Sequence, residues 1–167
     1  MAWRFVYGVS SESNIASAVQ RGARAGAVAS AAVTGAMLGF GLRAGMAARP
    51  FNAAAVLLIG NRARGVWGFV TGVSLAGELV VIASCVVAGA VCGAVLQLAP
   101  GASRARHPRL VAFALALLAA LATLVLLVAH APDFVGTAPA GALTISEGAV
   151  LSLVVSAAYA SGMGLAR

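Results

Sequence analysis

The chain has 167 residues, of which 62% are apolar and only 9% charged, and its formal net charge is +7. Its mean hydropathy is +1.01. A soluble domain has roughly 45–50% apolar and about 25% charged residues, so this composition excludes a soluble enzyme, a disordered protein and a nucleic-acid-binding domain, and it points to an integral membrane protein.

The first apolar run covers 25–42, with Ser30 and Thr34 as its only polar interruptions. At 1.5 Å per residue it rises about 27 Å, enough for a hydrocarbon core of about 30 Å. Upstream, Ser10 or Ser11 can cap a helix with Glu12 in its first turn, and Ile15, Ala18, Val19 and Gly22 follow at helical spacing. One helix is therefore expected to begin near Ser11 and enter the membrane past Arg24. About twenty residues precede the basic pair Arg21 and Arg24, which is long for the n-region of a signal peptide, so no cleavage is expected.

Pro50, in the stretch Arg49-Pro50-Phe51-Asn52, breaks this element and opens the next. The apolar run at 53–59 is too short to span and ends at Gly60-Asn61-Arg62. It reads as a short interfacial helix over 51–60, with Trp67 and Phe69 as aromatic anchors nearby. The second span is expected over 66–98. A helix of that length rises about 50 Å, which exceeds the hydrocarbon core by about 20 Å, so it must tilt, project or kink. Pro100 and Gly101 end it. The third span covers 110–129, from Pro108 and Arg109 to His130 and Pro132. The fourth covers 144–166 and opens with Thr144 and Glu147 at capping-box spacing.

All eleven basic residues are Arg. With a cytoplasmic N-terminus, Arg4, Arg21, Arg24, Arg104, Arg106, Arg109 and Arg167 are inside, while Arg43, Arg49, Arg62 and Arg64 are outside. That is seven against four, and the positive-inside rule then places both termini in the cytoplasm. Arg21, Arg24, Arg104, Arg106 and Arg109 are the candidates for lipid headgroups. Cys85 and Cys92 lie seven apart in one helix, about 10 Å of rise, which is too far for a disulfide. Neither has the neighbours that a metal site needs, and no cofactor or metal is expected.

Helices in lipid associate through small residues and polar contacts. The candidates are Gly35 and Gly39 in the first span, Gly68 with Gly72 and Gly89 with Gly93 in the second, and Ser152, Ser156, Ala160 and Gly164 in the fourth. The third span is rich in Leu and lacks Gly, so it is expected to be the most lipid-exposed. Glu78 is the one ionisable side chain inside a span, about 18 Å along the helix from Val66. Intramembrane carboxyls are costly and are usually paired or functional. Thr34, Thr123 and Ser156 lie at similar depth, whereas no Lys, Arg or His does. The expected role is a hydrogen-bonded carboxyl acting as interhelical glue within that polar cluster, and the alternative is a proton or cation relay.

Arg49-Pro50-Phe51-Asn52-Ala53, then Gly60-Asn61-Arg62-Ala63, then a long Gly-rich span, resembles a group of small uncharacterised bacterial four-helix membrane proteins. In that group a comparable Arg-Pro-x-Asn-Ala turn and short interfacial helix precede the second span. His residues common there are replaced here by Val56 and Glu78, so any role of theirs does not carry over. The resemblance covers about 45 residues and implies a four-span parse and no activity.

The expectation is an all-α, integral membrane four-helix bundle forming a single domain over 1–167 in the bacterial inner membrane. It has no catalytic constellation: no nucleophile–base pair, no paired carboxylates and no phosphate loop. Its expected partners are the bilayer and other membrane subunits or copies of itself, and no nucleic acid. The expected role is a non-enzymatic accessory subunit. A small transporter or channel centred on Glu78 is the alternative.

Overall fold

The computed structural model describes residues 4–63, 65–99, 107–131, 134–136 and 142–165, with side chains described from Asn14 to Gly164. Arg64, Pro100, Gly101, Arg104, Arg106, Pro132 and Arg167, all named above, lie outside the described residues, as do the side chains of Arg4, Ser10, Ser11 and Glu12. Among the described residues the fold is all-α, about 86% helical, with five α-helices. Four of them are long and apolar enough to cross a membrane.

Helix α1 covers Arg4–Arg43. No proline interrupts it, so the chain does not start afresh near Ser11, and the expected cap there is helix interior. It ends where Gly45 takes φ 72°. The amide of Met46 donates to Gly41 O at 2.7 Å and that of Gly45 to Leu42 O at 3.0 Å. These are the two bonds of a Schellman cap, which requires a left-handed residue.

Helix α2, Arg49–Ile59, begins with a proline in its first turn and ends at Gly60. Its buried residues are Pro50, Phe51, Asn52, Ala54 and Ala55, whereas Leu57 and Leu58 are exposed. A 3₁₀ turn, Gly60–Ala63, follows. Helix α3 covers Thr71–Leu98, so the second span starts later than the 66 expected from hydropathy. At 28 residues it rises about 42 Å. Residues 66–70 are not helical, and Asn52 accounts for this, as described below.

Helix α4 is Pro108–His130 and α5 is Ile145–Leu165. Between them a two-residue parallel bridge pairs Val135 with Leu143 and Gly136 with Thr144. The capping box at the head of α5 forms as its spacing suggests. Thr144 N donates to Glu147 Oε2 at 2.9 Å, and Glu147 N donates to Thr144 Oγ1 at 3.2 Å. Glu147 also holds Arg43 at 2.9 Å, joining the end of α1 to the start of α5.

The packing centres on α1, which lies against α3 and α5, while α2 packs on α3 and α4 mainly on α5. One core cluster gathers Ala25, Ala29, Cys92, Ala112, Ala116 and Tyr159. The other gathers Val33, Met37, Phe51, Ala54 and Val81. As expected, α4 is the least buried of the four long helices.

The small residues do not all serve this packing. A Cβ on Gly22 would run into Gly89 O, and one on Gly26 into Cys85 O. Gly89 and Gly93 face Gly26 and Gly22 in return. The α1–α3 contact is therefore backbone against backbone along two glycine pairs. Gly35, Gly39, Gly68 and Gly72 face open space, with nothing within 4 Å of where a Cβ would sit. Among the described residues nothing packs on them, and the glycines through which α1 meets α3 are Gly22 and Gly26. In α5, Ser152, Ser156 and Ala160 are buried, Gly164 is half-buried, and Gly162 lies against Ala25.

Candidate functional site

The most connected polar group in the interior is Asn52, which is 1% exposed. Pro50 starts α2 and so sets which face Asn52 occupies, two residues on. Its Nδ2 donates to Val66 O at 2.9 Å and to Gly68 O at 2.8 Å. Its Oδ1 accepts from Ser74 Oγ at 2.8 Å. One side chain thus engages two carbonyls of the non-helical segment at 66–70 and the first turn of α3. These bonds hold out of the helix an apolar run that hydropathy reads as helical. Beside it, the Arg49 guanidinium stacks 4.3 Å from the centre of the Trp67 ring, and Phe51 O lies against Gly77, where a side chain would not fit. Arg49, Phe51 and Asn52 therefore all fasten α2 to the entrance of α3.

The expected mid-span cluster does not come together through hydrogen bonds. Ser156 Oγ donates to Ser152 O at 2.6 Å, and Ser152 Oγ donates to Gly148 O at 3.0 Å. Both hydroxyls return to their own helix, a common way for Ser to be satisfied in an apolar interior. Thr123 is exposed on α4 and donates to Ala119 O at 2.9 Å. Thr34 and Glu78 are half-buried. Among the described residues neither side chain makes a hydrogen bond, and Glu78 has no ion pair.

A contact that sequence reasoning missed is Tyr159, buried in α5, whose hydroxyl donates to Gly89 O at 3.1 Å. It ties α5 to the point where α3 meets α1. The signal was available: a tyrosine in an apolar helix needs a partner for its hydroxyl when buried.

The arginines sort by level. Gly162 lies against Ala25, the neighbour of Arg24, and Gly164 lies against the Arg109 guanidinium. Arg24 and Arg109 therefore share one end of the bundle. Arg43 and Glu147 mark the other. From Arg24 to Arg43 the helix rises about 28 Å.

Comparison with protein-family models, with curated proteins and with solved structures found no match to this chain.

Proposed function

We propose that the protein is a non-enzymatic membrane-embedded bundle that acts through protein contacts, as an accessory subunit of a larger complex in the bacterial inner membrane. Its spans are α1, α3, α4 and α5, with α2 at the interface between the first two. The rise of about 28 Å between the Arg24 and Arg43 levels supports this reading, because it matches a hydrocarbon core of about 30 Å. Both termini are on the cytoplasmic side. Of the four arginines that count against that orientation, Arg43 is paired with Glu147 and Arg49 is stacked on Trp67.

One observation carries the subunit reading. Gly89 meets α1 at Gly22, close to the Arg24 level, yet α3 continues to Leu98. Residues 91–98 therefore run about 12 Å past the arginines. Val91, Val95 and Leu98 on that extension are 56%, 43% and 65% exposed. Apolar side chains beyond the hydrocarbon core need a protein surface to cover them. Pull-down of tagged protein from its native membrane in mild detergent should return a stoichiometric set of larger membrane proteins. A variant with Ser at positions 91, 95 and 98 should keep its helicity and lose that set. A wild-type protein that emerges alone or self-associated would overturn the reading.

Glu78 favours a second reading, a small transporter or channel. Its carboxyl is near mid-depth and is not spent on a hydrogen bond among the described residues. That reading predicts proton or cation flux in sealed vesicles that Glu78→Gln abolishes. The subunit reading predicts no flux from either protein.

A further inference from the structure

A groove of about 470 Å³ opens between α4 and α5 beside Arg109. That is within the roughly 300–1,000 Å³ of ordinary ligand sites. Its lining is Arg109, Leu110, Phe113, Ala160, Ser161 and Gly164. The Arg109 guanidinium lies flat over Gly164, where a Cβ would come within 2.8 Å of it. Among the described residues Arg109 has no hydrogen bond or ion pair. Ser161 Oγ is occupied with Ala157 O at 2.9 Å, so the one polar group with free donors is the guanidinium. The other walls are hydrocarbon, with Leu110 64% exposed.

We propose that this groove seats one anionic phospholipid, with its phosphate on the Arg109 guanidinium and an acyl chain along Leu110, Phe113 and Ala160. The inference rests on the membrane reading above and names a ligand for one point of that surface. Charge and shape both select this occupant. A guanidinium fork matches two phosphate oxygens. A free anion would satisfy the cation but leave the apolar walls bare, whereas an acyl chain covers them. The level is also right, since Arg109 stands with Arg24 at one end of the bundle, where headgroups lie. Gly164 makes the seat possible: any larger residue would lift the guanidinium out of the groove.

The full chain, purified in mild detergent and equilibrated with equal phosphatidylglycerol and phosphatidylcholine, can be assayed by native mass spectrometry for retained lipid. Wild type should retain one phosphatidylglycerol per chain at about fivefold preference, the scale of one interfacial arginine. Arg109→Gln and Gly164→Leu should both bring the preference close to parity, the second without removing any charge. Arg62→Gln, which removes an exposed arginine elsewhere, should leave it intact. An unchanged preference in Arg109→Gln would overturn the proposal, as would equal losses in all three variants, which would mean diffuse attraction. Displacement of the lipid by inorganic phosphate at matched concentration would also overturn it, because the anion alone would then be what is recognised. Failure of the membrane reading is separately visible, since the protein would then leave the membrane fraction in a carbonate wash.

Discussion

Gly89→Val is expected to loosen the bundle by about 1–3 kcal/mol, the usual cost of forcing extra volume into a packed contact. A Cβ at position 89 would sit 2.8 Å from Gly26 Cα and 3.0 Å from Gly26 N. These are backbone atoms of a 40-residue helix, so no side-chain rotation can relieve the clash and α1 must move away. That movement also strains the Tyr159 hydrogen bond to Gly89 O, which adds about 1 kcal/mol if it is lost. Unfolding by sodium dodecyl sulfate in mixed micelles, followed by circular dichroism, gives the difference. Gly35→Val is the control. It adds the same side chain to a glycine of α1 that faces open space, and it should change stability by less than about 0.5 kcal/mol. Equal effects at the two positions would mean that the glycine pairs are not what joins α1 to α3.

The contrast between these two glycines also marks how far the sequence can be read. Gly22–Gly26 and Gly35–Gly39 have the same spacing on the same helix, and small-residue steps are common in a chain this rich in Ala and Gly. Which pair meets α3 depends on the register between two helices far apart in sequence. Arg21 and Arg24 also leave Gly22, and with it the Gly22–Gly26 step, outside the apolar run at 25–42. Local chemistry, by contrast, is legible. Pro50 and Pro108 begin helices, and Thr144 with Glu147 closes the capping box, because each of these acts within one turn of its own position. Ser156 has the depth that a shared polar cluster would need, but depth does not choose its partner. The nearest acceptors of Ser152 and Ser156 are carbonyls one turn back on the same helix, and that local option is always present. The start of α3 is illegible for the opposite reason. Residues 66–70 are apolar enough to continue a helix, and what holds them out of it is a side chain at position 52, on another element.

That dependence makes Asn52→Leu the second variant with a large expected effect, a loss of about 2–4 kcal/mol. Leu nearly matches Asn in shape, so little cavity is created, and the cost falls on the partners left behind. Ser74 is buried and loses its acceptor. The carbonyls of Val66 and Gly68 lose their donors. An unsatisfied buried group costs about 1–3 kcal/mol, and less where water can reach it, which Gly68, being exposed, allows. Ser74→Ala alone should cost about 1 kcal/mol. Combined with Asn52→Leu it should cost less than the sum, because both variants break the same bond. The effect should also be local. Freed of Asn52, the segment at 66–70 can join α3, which carries Trp67 away from Arg49 and shifts its fluorescence before the bundle unfolds. Amide exchange at Val70 and Gly72 should slow in the variant, because in a helix that starts at 66 those amides gain the carbonyls of Val66 and Gly68 as acceptors. Wild-type stability in Asn52→Leu, together with an unmoved Trp67, would mean that Phe51 and Ala54 alone hold α2 in place and that the buried amide is a passenger.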